Sequence, residues 1–88
     1  MKKSNMKNTG QIIVYGTNWC GSTKAAVSFL DERGIPYDFI DIDQDPQAES
    51  FVRKINDGYR TVPTIIFPNE SVLVEPSGQE LLNKLKSM

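Results

Sequence analysis

Gln11-Ile12-Ile13-Val14-Tyr15-Gly16-Thr17-Asn18-Trp19-Cys20-Gly21-Ser22-Thr23-Lys24 is the stretch on which the reading of this chain turns. It opens with a short, continuous, β-branched apolar run closed by Gly16, the pattern of a central strand covered on both faces. A polar segment then carries the single cysteine into Lys24–Arg33, where Ala26, Phe29, Leu30 and Arg33 fall at helical spacing and Gly34 with Pro36 ends the helix. Cys20 therefore stands after a central strand and at the mouth of a helix. Unsatisfied backbone N–H groups and the positive end of the helix dipole favour an anion at that place. Because the thiolate is the attacking form in exchange with a disulfide, a lowered pKa there raises the reactive fraction near neutral pH. Lys24, one turn on, adds positive potential if its side chain turns back. Most free cysteines are merely small buried hydrophobes. Here Gly21 keeps the sulfur approachable and Trp19 can wall one side of a site, which favours the reactive reading.

Working outward, Tyr37 to Ile42 is β-rich but interrupted by Asp38 and Asp41, as expected of a strand near a sheet edge. Asp45-Pro46 supplies an N-cap and a helix-opening proline, followed by Ala48, Phe51, Val52 and Ile55 at helical spacing up to a stop near Gly58. Thr64–Phe67, the turn Pro68-Asn69-Glu70-Ser71 and Val72–Val74 read as a hairpin. Ser77-Gly78-Gln79-Glu80 is a capping box opening a last helix that buries Leu81, Leu82, Leu85 and Met88. The order is β-α-β-α-β-β-α: an α/β chain with parallel strands in its first unit and a four-stranded mixed sheet flanked by helices. Residues 1–10 read as a flexible tail and 11–88 as one domain.

Eighty-eight residues suffice for one modest core. Ten Lys and Arg against 11 Asp and Glu give a formal charge of −1, so nothing in the summed field calls for nucleic acid or an anionic membrane. No apolar run approaches the ~20 residues of a membrane-spanning helix. The basic stretch from Met1 to Gly10 lacks the apolar segment of a secretion signal, so a cytoplasmic protein is expected. A lone cysteine cannot close an internal disulfide, and the absence of histidine removes Cys-His pairs, Ser-His-Asp triads and histidine-containing zinc sites. Asp38, Asp41, Asp43 and Asp45 look like an acidic metal loop but lack the glycine and terminal glutamate of a calcium site. They are read as structural, and no metal is assigned.

A second signal is Thr61-Val62-Pro63, directly before the Thr64 strand. A proline there cannot donate to a ladder; were its peptide bond cis, the Val62 backbone would be presented as an open edge to which an extended peptide could pair. Together, Val14-Tyr15-Gly16-Thr17-Asn18-Trp19-Cys20-Gly21, Arg60-Thr61-Val62-Pro63-Thr64 and the element order resemble the glutaredoxins, in particular the small bacterial and archaeal glutaredoxin-like and mycoredoxin-like proteins, from Ile12 to Lys86.

That resemblance implies a thioredoxin fold, a cis Pro63, and a low-molecular-weight thiol, glutathione or another, held as co-substrate between the Cys20 loop, Val62 and the start of the last helix. By position, Thr17, Trp19, Thr61 and Pro63 would line the thiol, Val62 would pair with it, Arg60 would meet a carboxylate, and Ser77 with Gly78 would hold its other end. Thr17 falls where many members have lysine, and Glu75-Pro76-Ser77-Gly78 replaces their usual Gly-Gly pair. Thr23 stands where dithiol members have the second cysteine, so resolution must come from an external thiol. Thr23 can donate to the Cys20 sulfur or serve simply as a first-turn residue. The expected activity is a monothiol thiol–disulfide oxidoreductase on protein mixed disulfides, acting in redox homeostasis as a monomer with no permanent cofactor. Rival readings are a carrier of a [2Fe–2S] cluster bridged between two subunits, and a redox-inactive binding module.

Overall fold

The structure, a computed structural model, describes residues 11–87, so the N-terminal tail and Met88 lie outside it. The elements are β1 (Ile12–Gly16), α1 (Gly21–Glu32), β2 (Tyr37–Asp41), α2 (Pro46–Ile55), β3 (Thr64–Ile66), β4 (Val72–Val74) and α3 (Gly78–Lys86). Their order matches the sequence reading. α1 begins three residues ahead of Lys24, because Gly21, Ser22 and Thr23 carry no apolar signal yet form its first turn.

The four strands form one sheet in the order β2-β1-β3-β4, with β1 and β2 parallel and the β1–β3 and β3–β4 pairs antiparallel. β1 is buried along its whole length, as its unbroken apolar run requires. Alternation divides its side chains between two cores. Ile12 and Val14 pack with Ala26, Leu30, Ile65, Phe67 and Leu81 beneath α1 and α3. Ile13 and Tyr15 pack with Ile42, Ala48 and Val52 beneath α2. β2 is the edge strand its interspersed aspartates imply.

Each helix is delimited by chemistry written in the chain. α1 ends in a Schellman motif: the Ile35 N–H donates to Leu30 O at 3.0 Å and the Gly34 N–H to Asp31 O at 3.1 Å, with Gly34 at φ 66°. The Asp45 carboxylate accepts from the Gln47 and Ala48 N–H groups, both at 3.1 Å, and Pro46 starts α2. Ser77 Oγ accepts from the Glu80 N–H at 3.1 Å while the Ser77 N–H donates to Glu80 Oε1 at 2.8 Å, completing the capping box of α3.

Register decides what meets at the functional end. Gly16 lies beside Asp41, Tyr15 beside Thr64, and Thr64 beside Val74. The ends of β1, β2 and β4 and the start of β3 therefore converge. The segments Gly16–Cys20, Asp41–Asp43, Val62–Pro63 and Glu75–Ser77, far apart in sequence, share one edge of the sheet.

Candidate active site

Cys20 is the N-cap of α1, with the extended backbone that position requires (φ −84°, ψ 126°). Its own N–H reaches Thr17 O at 3.5 Å, and its carbonyl accepts the first helical bond from the Lys24 N–H at 3.0 Å. No side chain caps the helix. The half-buried, free thiol stands where an N-cap oxygen normally would, and the first-turn amides act on it. Its pKa is lowered chiefly by the Thr23 N–H, with smaller help from the Thr23 hydroxyl and the Ser22 N–H; burial and the Glu75 carboxylate oppose the shift.

Thr23 is buried, and its Oγ1 has no partner meeting hydrogen-bond geometry among the described residues. Its hydroxyl therefore ranks behind its own N–H as a stabiliser of the anion. Close packing fixes it: a Cβ on Gly16 would fall 2.6 Å from Thr23 Cγ2 and 2.8 Å from Oγ1. Glycine at the end of β1 is thus what lets the first turn of α1 approach the sheet. Gly21 has open space where a Cβ would be, leaving the approach to the sulfur unobstructed on that side.

Two of the expected residues take other positions. Thr17, expected to line the thiol, is fully buried; its Oγ1 also lacks a partner among the described residues, so its side chain is withdrawn from the open face. Lys24, expected to turn back towards the sulfur, lines a groove with Thr17, Thr23, Val27, Tyr37 and Phe39 on the β2 side of α1. Among the described residues, the charged side chain that shifts the thiol is Glu75, which raises its pKa.

The Val62–Pro63 peptide bond is cis. Pro63 is buried, and the N–H and C=O of the half-buried Val62 have no partner among the described residues. The loop is fastened around them. Thr64 Oγ1 donates to Thr61 O at 2.8 Å and accepts from Asn56 Nδ2 at 3.1 Å, while the Glu75 N–H donates to Pro63 O at 2.9 Å. Ser77 is exposed and Gly78 opens α3 above the Phe29 ring, 3.7 Å from where its Cβ would be.

Arg60, which the resemblance assigns to a carboxylate of the bound thiol, is held by carboxylates of its own chain. Its Nε donates to Glu49 Oε2 at 2.9 Å and its guanidinium also binds Asp43 Oδ1. The second Asp43 oxygen, Oδ2, accepts from the Trp19 indole N–H at 2.8 Å. Trp19 is 67% exposed, so this bond holds the indole at the open surface. Asp43 is pulled below the usual carboxylate range by the indole and by Arg60, Glu49 by Arg53 and then Arg60, and Arg60 is raised by Asp43 first. Sequence spacing placed Asp43 only in an acidic run. The signal that finds it is topological: β2 is parallel to β1, so residues following it emerge beside the Cys20 loop, at the strand ends where open α/β sheets place their sites.

A cleft of about 320 Å³ lies beside α2, lined by Tyr15, Phe51 and Ile66 together with Asp45, Gln47 and Glu70, and holds none of the expected site residues. The candidate residues sit instead on an open surface: a thiol of lowered pKa at a helix start, an exposed indole before it, and, among the described residues, an unpaired stretch of backbone before a cis proline. Fold and site define a thiol protein of the thioredoxin fold. The glutaredoxin family model matches residues 12–72, and the chain belongs to the glutaredoxin family.

Mycoredoxin 1 of Corynebacterium glutamicum is 34% identical over 77 residues, which cover 88% of this chain and 95% of that protein. A Mycobacterium tuberculosis protein named as a glutaredoxin is 39% identical over 77 residues, 88% of this chain and 92% of its own. Among solved structures, the glutaredoxin of Archaeoglobus fulgidus superposes with a TM-score of 0.75 over 98% of this chain and 97% of its own at 17% identity, a likeness of fold. No described helix is long and apolar enough to cross a membrane.

Proposed function

We propose that this protein is a thiol–disulfide oxidoreductase working through a single thiolate on mixed disulfides between proteins and a low-molecular-weight thiol, glutathione or another. The observation that carries it is the placement of Cys20 as the uncapped N-cap of α1, its pKa lowered by the Thr23 and Ser22 amides. In the reaction, the Cys20 thiolate attacks the small-thiol sulfur of the mixed disulfide and the protein thiolate leaves, taking up a proton. A second small thiol, as its thiolate, then attacks the Cys20-bound sulfur; a symmetric small-molecule disulfide is released and Cys20 is restored. The protein has one cysteine and cannot perform that second step itself.

Val62 would pair with the peptide-like backbone of the bound thiol, with Thr61 and Pro63 shaping that edge, while Trp19 walls the adduct and Ser77 and Gly78 hold its far end. The protein would act as a soluble cytoplasmic monomer without a permanent cofactor or nucleic-acid partner. The test is reduction of a glutathionylated protein, and of the same protein carrying other small thiols, by wild type and Cys20→Ser. Turnover that falls to the uncatalysed rate in the variant supports the reading; equal rates remove it.

A further inference from the structure

Trp19 projects from the site with two-thirds of its surface in water, and an exposed indole with no anchor samples several rotamers. This one has an anchor, and the anchor is built from charged groups in series. Asp43 spends one oxygen on the indole N–H and the other on Arg60. Arg60 Nε reaches Glu49 Oε2 on α2, and Glu49 is itself held by Arg53 Nε at 3.3 Å and Nη2 at 3.0 Å. Arg53 Nη1 in turn binds Gly58 O at 2.9 Å, in the turn that leads back to Arg60. At the near end the Asp43 N–H donates to Asp41 Oδ1 at 2.9 Å, fixing the turn after β2 that aims the carboxylate.

We propose that Asp43 is a positioning residue: its two oxygens couple Trp19 to Arg60 and so to α2, holding the indole as a rigid platform beside the nucleophile. Only a carboxylate fits the role. It accepts at both oxygens, whereas an amide of the same length turns its NH₂ towards one of two donors. The same assignment gives Arg60 its task, which is to brace Asp43 rather than to receive a carboxylate from the bound thiol. Glu49, already committed to Arg53, completes the brace.

The indole is the only tryptophan in the chain, so its motion is read directly by time-resolved fluorescence anisotropy. In reduced wild type the decay should follow overall tumbling. Asp43→Ala and Asp43→Asn should each add a sub-nanosecond component. Arg60→Ala should add a smaller one, and Asp43→Ala/Arg60→Ala should match Asp43→Ala alone, since both changes cut one chain of contacts.

The kinetic arm rests on the function proposed above: KM for a mixed disulfide should rise about threefold or more in Asp43→Ala. Alkylation of Cys20 by iodoacetamide should stay within about twofold of wild type, because the thiolate is stabilised by amides that Asp43 does not touch. An indole as immobile in Asp43→Ala as in wild type overturns the proposal. So does a variant whose alkylation falls in step with its turnover, which would make Asp43 a modulator of the sulfur. Absence of mixed-disulfide turnover in wild type would instead remove the functional reading, and the anisotropy series would still decide the positioning role.

Discussion

At α2 and α3 the first-turn amides are taken by the chain's own oxygens: Asp45 accepts from two N–H groups, and Ser77 and Glu80 satisfy each other's donors. At α1 the corresponding position holds Cys20, no side-chain cap is made, and no acidic residue lies in the first turn. Two helix starts are closed by evolved caps, and the third is left open with a sulfur in the cap position. Closed starts contribute stability. In the proposed reaction the open start would keep its positive field for the Cys20 thiolate, so the same backbone physics would serve structure twice and chemistry once.

The comparison breaks most sharply if α1 is given the cap its neighbours have. Cys20→Asp places a permanently ionised acceptor at an extended N-cap, so mixed-disulfide turnover should vanish while the fold gains about 1 kcal/mol, a cap's typical worth. For a domain of this size that corresponds to a rise in Tm of about 4–8 °C, measurable by thermal unfolding. A variant that loses activity without gaining stability would show that the amides are already satisfied in the resting protein.

The converse experiment opens a closed start. Asp45→Ala removes the acceptor for two amides, and Ser77→Ala removes one while leaving the Ser77 N–H bonded to Glu80. Both should destabilise, by about 1 kcal/mol for a typical cap, with Asp45→Ala the larger. Denaturant midpoints should fall at unchanged slope. Asp45→Ala should leave the alkylation rate of Cys20 as it is, since Asp45 is not among the groups that shift the thiol. A change in that rate would mean that the cap of α2 is coupled to the site.

Much of this is legible in the sequence. The unbroken run Ile12–Tyr15 identified the buried central strand, the aspartates of Tyr37–Ile42 the edge strand, and Ser77-Gly78-Gln79-Glu80 the capping box, because each is a local pattern with a local cause. Cys20 at the mouth of α1 is legible for the same reason, whereas the cis Pro63 is legible only through the family resemblance, since a lone Val-Pro favours trans.

What stayed hidden depends on lateral register and on the direction a side chain takes. Asp43 is unremarkable in sequence and becomes central only when β2 lies parallel beside β1. Arg60 is a free cation in the sequence and a braced one in the fold. Thr17 continues past the end of β1 with its side chain turned inward, and Lys24 leaves α1 towards β2, neither of which periodicity specifies.

The open start of α1 is also trimmed by a charge of the wrong sign, and that sharpens the comparison at its smallest scale. Glu75 raises the pKa of a thiol that the Thr23 and Ser22 amides lower. Glu75→Gln should therefore lower it further. Below the pKa the thiolate fraction grows by the full shift, but each thiolate becomes a weaker nucleophile by about half of it in logarithmic terms, so alkylation should rise by about the square root of the gain in fraction. An exposed carboxylate contributes little, which limits the effect to about twofold at neutral pH and makes it shrink as salt screens the charge. Above about pH 9, the ordinary cysteine value below which Cys20 is held, both proteins are largely thiolate and the sign should reverse, with the variant the slower. A pH–rate profile of alkylation for the two proteins checks this: curves that cross establish Glu75 as a charge acting on the sulfur, whereas curves that stay parallel assign its role to the bond between its N–H and Pro63 O, which Gln preserves.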